Sequence, residues 1–302
     1  MSHGLSRRSF VAAAALPLIG PAFAQGTVAT TLRVGAFTVE PVRDGLFPLE
    51  PRMIPGADSE AGRALLREAG LPPAGPSPEP VNAFLVRRGE RLWLLDAGCG
   101  GVLGPDLGKV PAALVAGGIH LAGIETIWLT HLHADHAGGL LDADGRARFA
   151  RAELVVQAAE VAYWSDPGSR SRAPAEMGAF FDTALAVLAA YKGRVRQVSG
   201  AAELTAGITA VPLPGHTPGH AGVLIEDAGE RLLIWGDVLH ARILQLPHPE
   251  WTVIWDMDGA QAEATRRRIF DRAVVEGLTV AGMHLATHGR IARRGQGYAL
   301  VS

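Results

Sequence analysis

Thr130-His131-Leu132-His133-Ala134-Asp135-His136-Ala137-Gly138-Gly139 follows directly on the apolar run Ile124–Leu129. An H-x-H-x-D-H pattern is a rare arrangement in a chain with only 11 histidines. In the extended exit of a strand, alternate side chains share a side, so His131 and His133 can address one metal ion. Where the chain turns at Gly138-Gly139, Asp135 and His136 can address a second. Two cations need more donors than these four, and three others also stand at the ends of apolar runs. Val211-Pro212-Leu213 leads to His216, Leu232–Trp235 to Asp237, and Leu278–Met283 to His284. Donors placed where buried strands emerge at a common rim can converge on a rigid site.

Outward from this motif, the chain has the composition of a folded domain. It has 302 residues, 48% hydrophobic and 19% charged, with a net charge of −2. That is enough apolar surface for a large core. No run of Lys and Arg tracks phosphates, so no nucleic acid partner is expected. Cys99 is the single cysteine, which excludes an internal disulfide framework and a multi-cysteine zinc site, and it reads as a small packed hydrophobe. Residues 1–24 read as an export signal: Ser6-Arg7-Arg8-Ser9-Phe10, an apolar stretch from Val11 to Ile19, then Ala22-Phe23-Ala24 before a cleavage point. The stretch is shorter than the ~20 residues that span a bilayer, so no permanent membrane anchor is expected. The arginine pair is similar to a twin-arginine signal. The twin-arginine export machinery is then a partner, and the location is periplasmic or secreted, with a general secretory signal as the rival.

Residues 25–302 read as one domain. Strand-like runs are expected at Leu32–Val39, Val81–Arg87, Leu92–Asp96, Ile124–Leu129, Leu154–Gln157, Ile208–Leu213, Val223–Glu226 and Leu232–Trp235. Helical patterns fall at Val110–Gly117, Met177–Tyr191 and Ala260–Val274, and Leu71–Pro80 reads as a surface loop. The order predicts layered α/β structure with mixed sheets rather than a barrel or a dinucleotide fold.

These segments, from Val81-Asn82-Ala83-Phe84-Leu85 and Leu95-Asp96-Ala97-Gly98 to His284, resemble the metallo-β-lactamase superfamily of hydrolases. The resemblance implies an αβ/βα four-layer sandwich with metals at one edge. It implies that His131, His133 and His216 hold one ion and Asp135, His136 and His284 the other, with Asp237 bridging. Asp96 and His220 would orient the ligands. Gly236-Asp237-Val238-Leu239-His240 and Trp251-Thr252-Val253-Ile254-Trp255-Asp256 are similar to methyl parathion hydrolase and related lactonases and arylesterases. Beyond His284 the chain departs from that pattern. It runs Leu285-Ala286-Thr287-His288-Gly289, where the relatives carry proline and phenylalanine, so His288 competes as a ligand or a piece of pocket wall.

The implied reaction is hydrolysis of a small-molecule ester, lactone or phosphotriester by a hydroxide bridging two divalent ions, with Asp237 also a proton shuttle. Zinc suits the donors, as do manganese, iron and cobalt. A glutathione thioester hydrolase or a persulfide dioxygenase of the same fold is the first rival, though no basic cluster near the C-terminus would hold glutathione. A non-enzymatic metal-binding protein is the second. Trp164, Phe180, Phe181, Trp251 and Trp255 are expected to line an apolar pocket. Asp44–Pro80 is expected to form a lid or a homodimer contact.

Overall fold

The run expected as one strand over Leu32–Val39 is two. β1 (Leu32–Val34) and β2 (Phe37–Leu49) reverse at Gly35, whose φ of +53° is a conformation that glycine adopts without strain. Asp227 and Glu230 of the facing sheet accept the amide protons of Ala36 and Gly35, at 2.7 and 2.6 Å, and fix the turn. This computed structural model describes residues 30–302, so the expected export signal over residues 1–24 lies outside the described residues.

The first sheet continues through β3 (Ser77–Arg88), β4 (Arg91–Leu95), β5 (Thr126–Trp128), β6 (Glu153–Gln157) and β7 (Val195–Val198), its strands lying in chain order. It is antiparallel as far as β4 and parallel from there to β7. The second sheet runs in space from β14 (Gly297–Val301) back through β13 (Gly289–Arg294), β12 (Thr279–Ala281), β11 (Glu230–Ile234), β10 (Ala221–Asp227) and β9 (Ile208–Pro212) to β8 (Ala202–Thr205). Its single parallel pair is β11 with β12. The expected surface loop is shorter than read, because Ser77–Pro80 already belongs to β3. Pro78 and Pro80 are tolerated there because β3 has only β2 as a ladder neighbour until Phe84.

The helices are α1 (Glu60–Glu68), α2 (Val110–Ala116), α3 (Ala134–Ala137), α4 (Ala158–Ser165), α5 (Pro167–Arg172), α6 (Gly178–Ala190), α7 (Arg242–Gln245) and α8 (Gly259–Glu276). Between the sheets, Phe37, Val39, Phe84, Val86, Trp93 and Trp128 meet Ile208, Val223, Ile225, Leu232 and Ile234. Each such aliphatic or aromatic side chain contributes about 1.5–3 kcal/mol by leaving water. On the outer face of the first sheet, Leu94, Ile127 and Leu154 pack with Leu114 of α2, Trp164 of α4 and Phe181 and Val187 of α6. On the outer face of the second, Leu224, Leu233 and Val280 pack with Ile269, Phe270 and Ala273 of α8. The result is the expected four-layer αβ/βα sandwich. Asp258 caps α8 through Gln261 N, and Gly277 ends it in the left-handed conformation.

The segment from Asp44 to Pro80 is anchored to the body of the domain at several points. Asp44 is buried and its carboxylate accepts from Cys99 N, Gly108 N and Val110 N, while Leu49, Ile54, Ala57 and Leu66 pack with Ala241 and Leu244. Among the described residues no helix is long and apolar enough to cross a membrane.

Candidate metal centre

Strand ends converge on one rim. β4 delivers Asp96, β5 the motif His131–His136, β9 His216, β11 Asp237 and β12 His284. Asp237 is the hub: its Oδ2 lies 3.1 Å from His136 Nε2, 3.1 Å from His284 Nε2, 3.2 Å from His240 Nε2, 3.5 Å from His216 Nε2 and 3.8 Å from His131 Nε2. Three groups of donors have atoms mutually within 4.8 Å: His131 with His133 and His216; Asp135 with His136, Asp237 and His284; and His216 with Asp237 and His240. The first two are the sets expected from the sequence. Gly236 permits the approach of Asp237, because a Cβ there would lie 2.4 Å from His220 Nε2.

Except in His133, the outer nitrogens of the ligand rings are committed to protein partners, which leaves inner lone pairs for a cation. His136 Nδ1 lies 2.7 Å from Asp96 Oδ2, and Asp96 also accepts from Thr130 N and Oγ1. His131 Nδ1 lies 3.0 Å from Thr130 Oγ1, whose own proton goes to Asp96. His284 Nδ1 donates to Pro80 O at 2.8 Å, and His216 Nδ1 to Asp256 Oδ1 at 2.9 Å. His220 is fully used: Nδ1 donates to Leu213 O and Nε2 accepts from Asp237 N, so it positions the Asp237 backbone. His131 Nε2, His133 Nε2, Asp237 Oδ1 and His240 Nδ1 are buried without a hydrogen-bond partner. Of these His131 Nε2 faces Asp237 Oδ2 at 3.8 Å, and it gathers there with His216 Nε2, which also meets His133 Nδ1; buried polar atoms without partners are costly, and such a gathering of acceptors fits divalent ions.

Burial holds His131 and His133 well below the usual imidazole range, aided by neighbouring imidazoles, so both keep the neutral form that ligates. Burial likewise takes His220 down to about 3 and His240 to about 4. For His136, burial opposes the charge but Asp237, Asp135 and Asp96 outweigh it and raise the ring well above its ordinary value. Asp237 is the converse: burial pushes it up, and His136 and His284 pull it well below the carboxylate range. The centre thus concentrates carboxylate charge where a cation would sit.

A family model described as the metallo-beta-lactamase superfamily matches residues 76–284. The chain belongs to that superfamily. The crystal structure of the hydrolase AbOPH, described as in the beta-lactamase superfamily, aligns with a TM-score of 0.84 and 27% identity over 92% of this chain and 98% of that one. AidC, a dizinc quorum-quenching lactonase in complex with a product, aligns with a TM-score of 0.82 and 21% identity over 90% and 96%. Ribonuclease Z of Mycolicibacterium paratuberculosis (strain ATCC BAA-968 / K-10) is 40% identical over 70 residues, a span of 22% of each chain. The chain therefore matches about a fifth of that curated relative's length.

In this metallo-β-lactamase superfamily member a cleft opens over the donors. Phe47, Leu49, Val81, Leu103, Phe180 and Trp255 make its walls, and Glu79 is the acidic group there outside the donor sets. Of the aromatic residues expected to line it, Phe180 and Trp255 do. Trp164 does not: it is wholly buried, its Nε1 donating to Glu160 at 2.6 Å. Phe181 is packed against Trp164 in the core, and Trp251 stacks on His248 outside the cleft. His288 lies apart from the donor groups, beside Leu32, Pro41 and Phe84, because β13 begins at the next residue and carries it away from the rim.

Three functional residues escaped sequence reasoning. His240 joins His216 and Asp237 and stacks on His284 at 4.8 Å. Asp256 backs His216. Glu160, fully buried in α4, ties together the two ligand loops by accepting from Leu132 N, Trp164 Nε1, Thr217 Oγ1 and Gly219 N. The i, i+3 spacing of Asp237 and His240 was the available signal for the first.

Proposed function

We propose that this chain is an exported, dinuclear metal-dependent hydrolase of small carboxylic esters or lactones with an apolar acyl or aryl group. The observation that carries this reading is Asp237 Oδ2, which lies 3.1 Å from His136 Nε2 of one donor set and 3.5 Å from His216 Nε2 of the other, in a cleft with apolar walls. His131, His133 and His216 would hold one ion and Asp135, His136 and His284 the other. Divalent ions bound by these donors supply a nucleophile at neutral pH and polarise the scissile carbonyl. The protein's part is to orient and to shield. Asp237, with Oδ1 unpartnered, is the carboxylate placed to pass a proton to the leaving oxygen. Phe180 and Trp255 exclude water from the acyl group, in keeping with the mostly apolar walls of small-molecule sites. The fold shared with the lactonase AidC supports the choice of lactones among esters.

The test is a hydrolysis panel of aryl esters, lactones, acyl-homoserine lactones and phosphotriesters with zinc-, manganese- and cobalt-loaded protein, beside elemental analysis. Two ions per chain and preferred turnover of esters or lactones are expected. Phosphotriester turnover alone would reassign the substrate, and one ion at saturation would overturn the dinuclear centre.

A further inference from the structure

His216 is held in place by a residue forty positions later in the chain. Asp256 stands in the loop that joins Trp251 to α8, and its side chain is 1% exposed. The loop is stitched to the His216 turn through the backbone, Met257 N donating to His216 O and Asp258 N to Gly215 O. Asp256 Oδ2 accepts two hydrogen bonds, from Val253 N at 3.1 Å and from Arg266 Nη2 at 3.2 Å. Arg266 is itself buried and locked by Val238 O, Pro249 O and Trp251 O. Asp256 Oδ1 is left facing His216 Nδ1 at 2.9 Å.

We propose that Asp256 is a positioning residue that fixes the ring tautomer of His216, and thereby the competence of the His131–His133–His216 site to hold an ion. A carboxylate only accepts, so Nδ1 must carry the proton. The lone pair then falls on Nε2, which lies 3.0 Å from His133 Nδ1 and 3.5 Å from Asp237 Oδ2. In Asp256→Asn the amide must choose an orientation. Both neighbours of Oδ2 can only donate, so the amide oxygen takes that place and the NH2 turns to His216. A donor there demands a lone pair on Nδ1, which drives the proton to Nε2 and removes the atom that would ligate. A near-isosteric change is therefore expected to act by tautomer rather than by shape.

This inference rests on the metal-centre reading above, but its primary readout needs no substrate and no turnover. In the full chain after chelation, nitrogen-15 spectra of the His216 ring are expected to show Nδ1–H and a bare Nε2. In Asp256→Asn they are expected to show the reverse. Zinc titration against a competing dye is expected to find two ions in the wild type. In the variant, the ion at the His216 site is expected to bind 10–100-fold more weakly, with the Asp135–His136–His284 site retained. A wild-type His216 protonated on Nε2 overturns the proposal, and does so even where Asp256→Asn fails to fold. So does a folded Asp256→Asn protein that keeps Nδ1–H, or one that switches tautomer yet binds both ions as the wild type does. Two ions bound normally with no turnover of any ester would instead count against the hydrolase reading alone.

Discussion

Replacing Glu160 by glutamine puts one number on how the two ligand loops are held together. Its Oε1 accepts from Leu132 N at 3.0 Å and Trp164 Nε1 at 2.6 Å, and its Oε2 from Thr217 Oγ1 at 2.7 Å and Gly219 N at 2.9 Å. Leu132 lies between His131 and His133, and Thr217 follows His216. In Glu160→Gln the NH2 is best turned toward Thr217, whose hydroxyl can rotate to accept from it, while Gly219 N can only donate and loses its acceptor. One hydrogen bond to a charged acceptor is lost, at about 1.5–3 kcal/mol. At ~2–4 °C per kcal/mol for a domain of this class, the melting temperature should fall by roughly 3–12 °C. Thr217→Val removes one donor and should cost about 1–2 kcal/mol. Because both changes strike the same oxygen, the double variant should be less destabilised than the sum of the singles by roughly 1 kcal/mol. Calorimetry at saturating zinc on the four proteins of the cycle measures this. A Glu160→Gln protein melting within about 1 °C of the wild type, or strict additivity, would refute the reasoning.

Asp237→Asn should fold, since the Asp237 amide stays bonded to His220, yet lose about 10²–10³-fold in turnover, checked by steady-state kinetics beside circular dichroism. His284→Ala should lose one of two bound ions and leave Pro80 O without its donor, whereas His288→Ala should bind and turn over as the wild type does; elemental analysis of both separates them. Chelation should lower the melting temperature and re-addition of metal restore it in proportion to the logarithm of free metal, as ligand linkage requires. Changing Arg7 and Arg8 together to Lys should retain the protein in the cytoplasm, read by cell fractionation, if the guanidinium pair directs export.

Much of the site was legible because its chemistry is local in sequence. Four donors fall within six residues, and His216, Asp237 and His284 each follow a run apolar enough to be a buried strand. The residues that escaped share a different character. Glu160 sits in an ordinary helix, and Asp256 reads as a loop carboxylate; each acts on a partner more than twenty positions away that only the fold supplies. The missed strands have a physical cause too. The edge strand β7 carries Arg196 and Gln197, and β13, next to the edge strand β14, carries Arg290, Arg293 and Arg294, so polar faces dilute the alternation. The errors among the aromatic residues follow from area: Trp164 and Phe181 bury more surface in the core than a cleft wall offers.

The outer partners of the rings explain how such a centre is kept in order before any ion arrives. Thr130 and Asp96 serve His131 and His136 from the first sheet. Pro80, on β3 of that sheet, serves His284 from the second, so this hydrogen bond closes only when the two sheets are in register. Asp256 serves His216 from a loop that also carries Trp255 into the cleft wall and is locked by Arg266 of α8. His131 with His136, His284 and His216 thus report on three different pieces of tertiary structure, and their inner nitrogens point inward because the outer ones are already spent. Fixing the donors in this way moves the conformational cost of gathering seven side chains from the binding step to folding, where the buried faces of both sheets offset it. Metal affinity should accordingly fall with changes that loosen the contact between the sheets, even when every donor is intact.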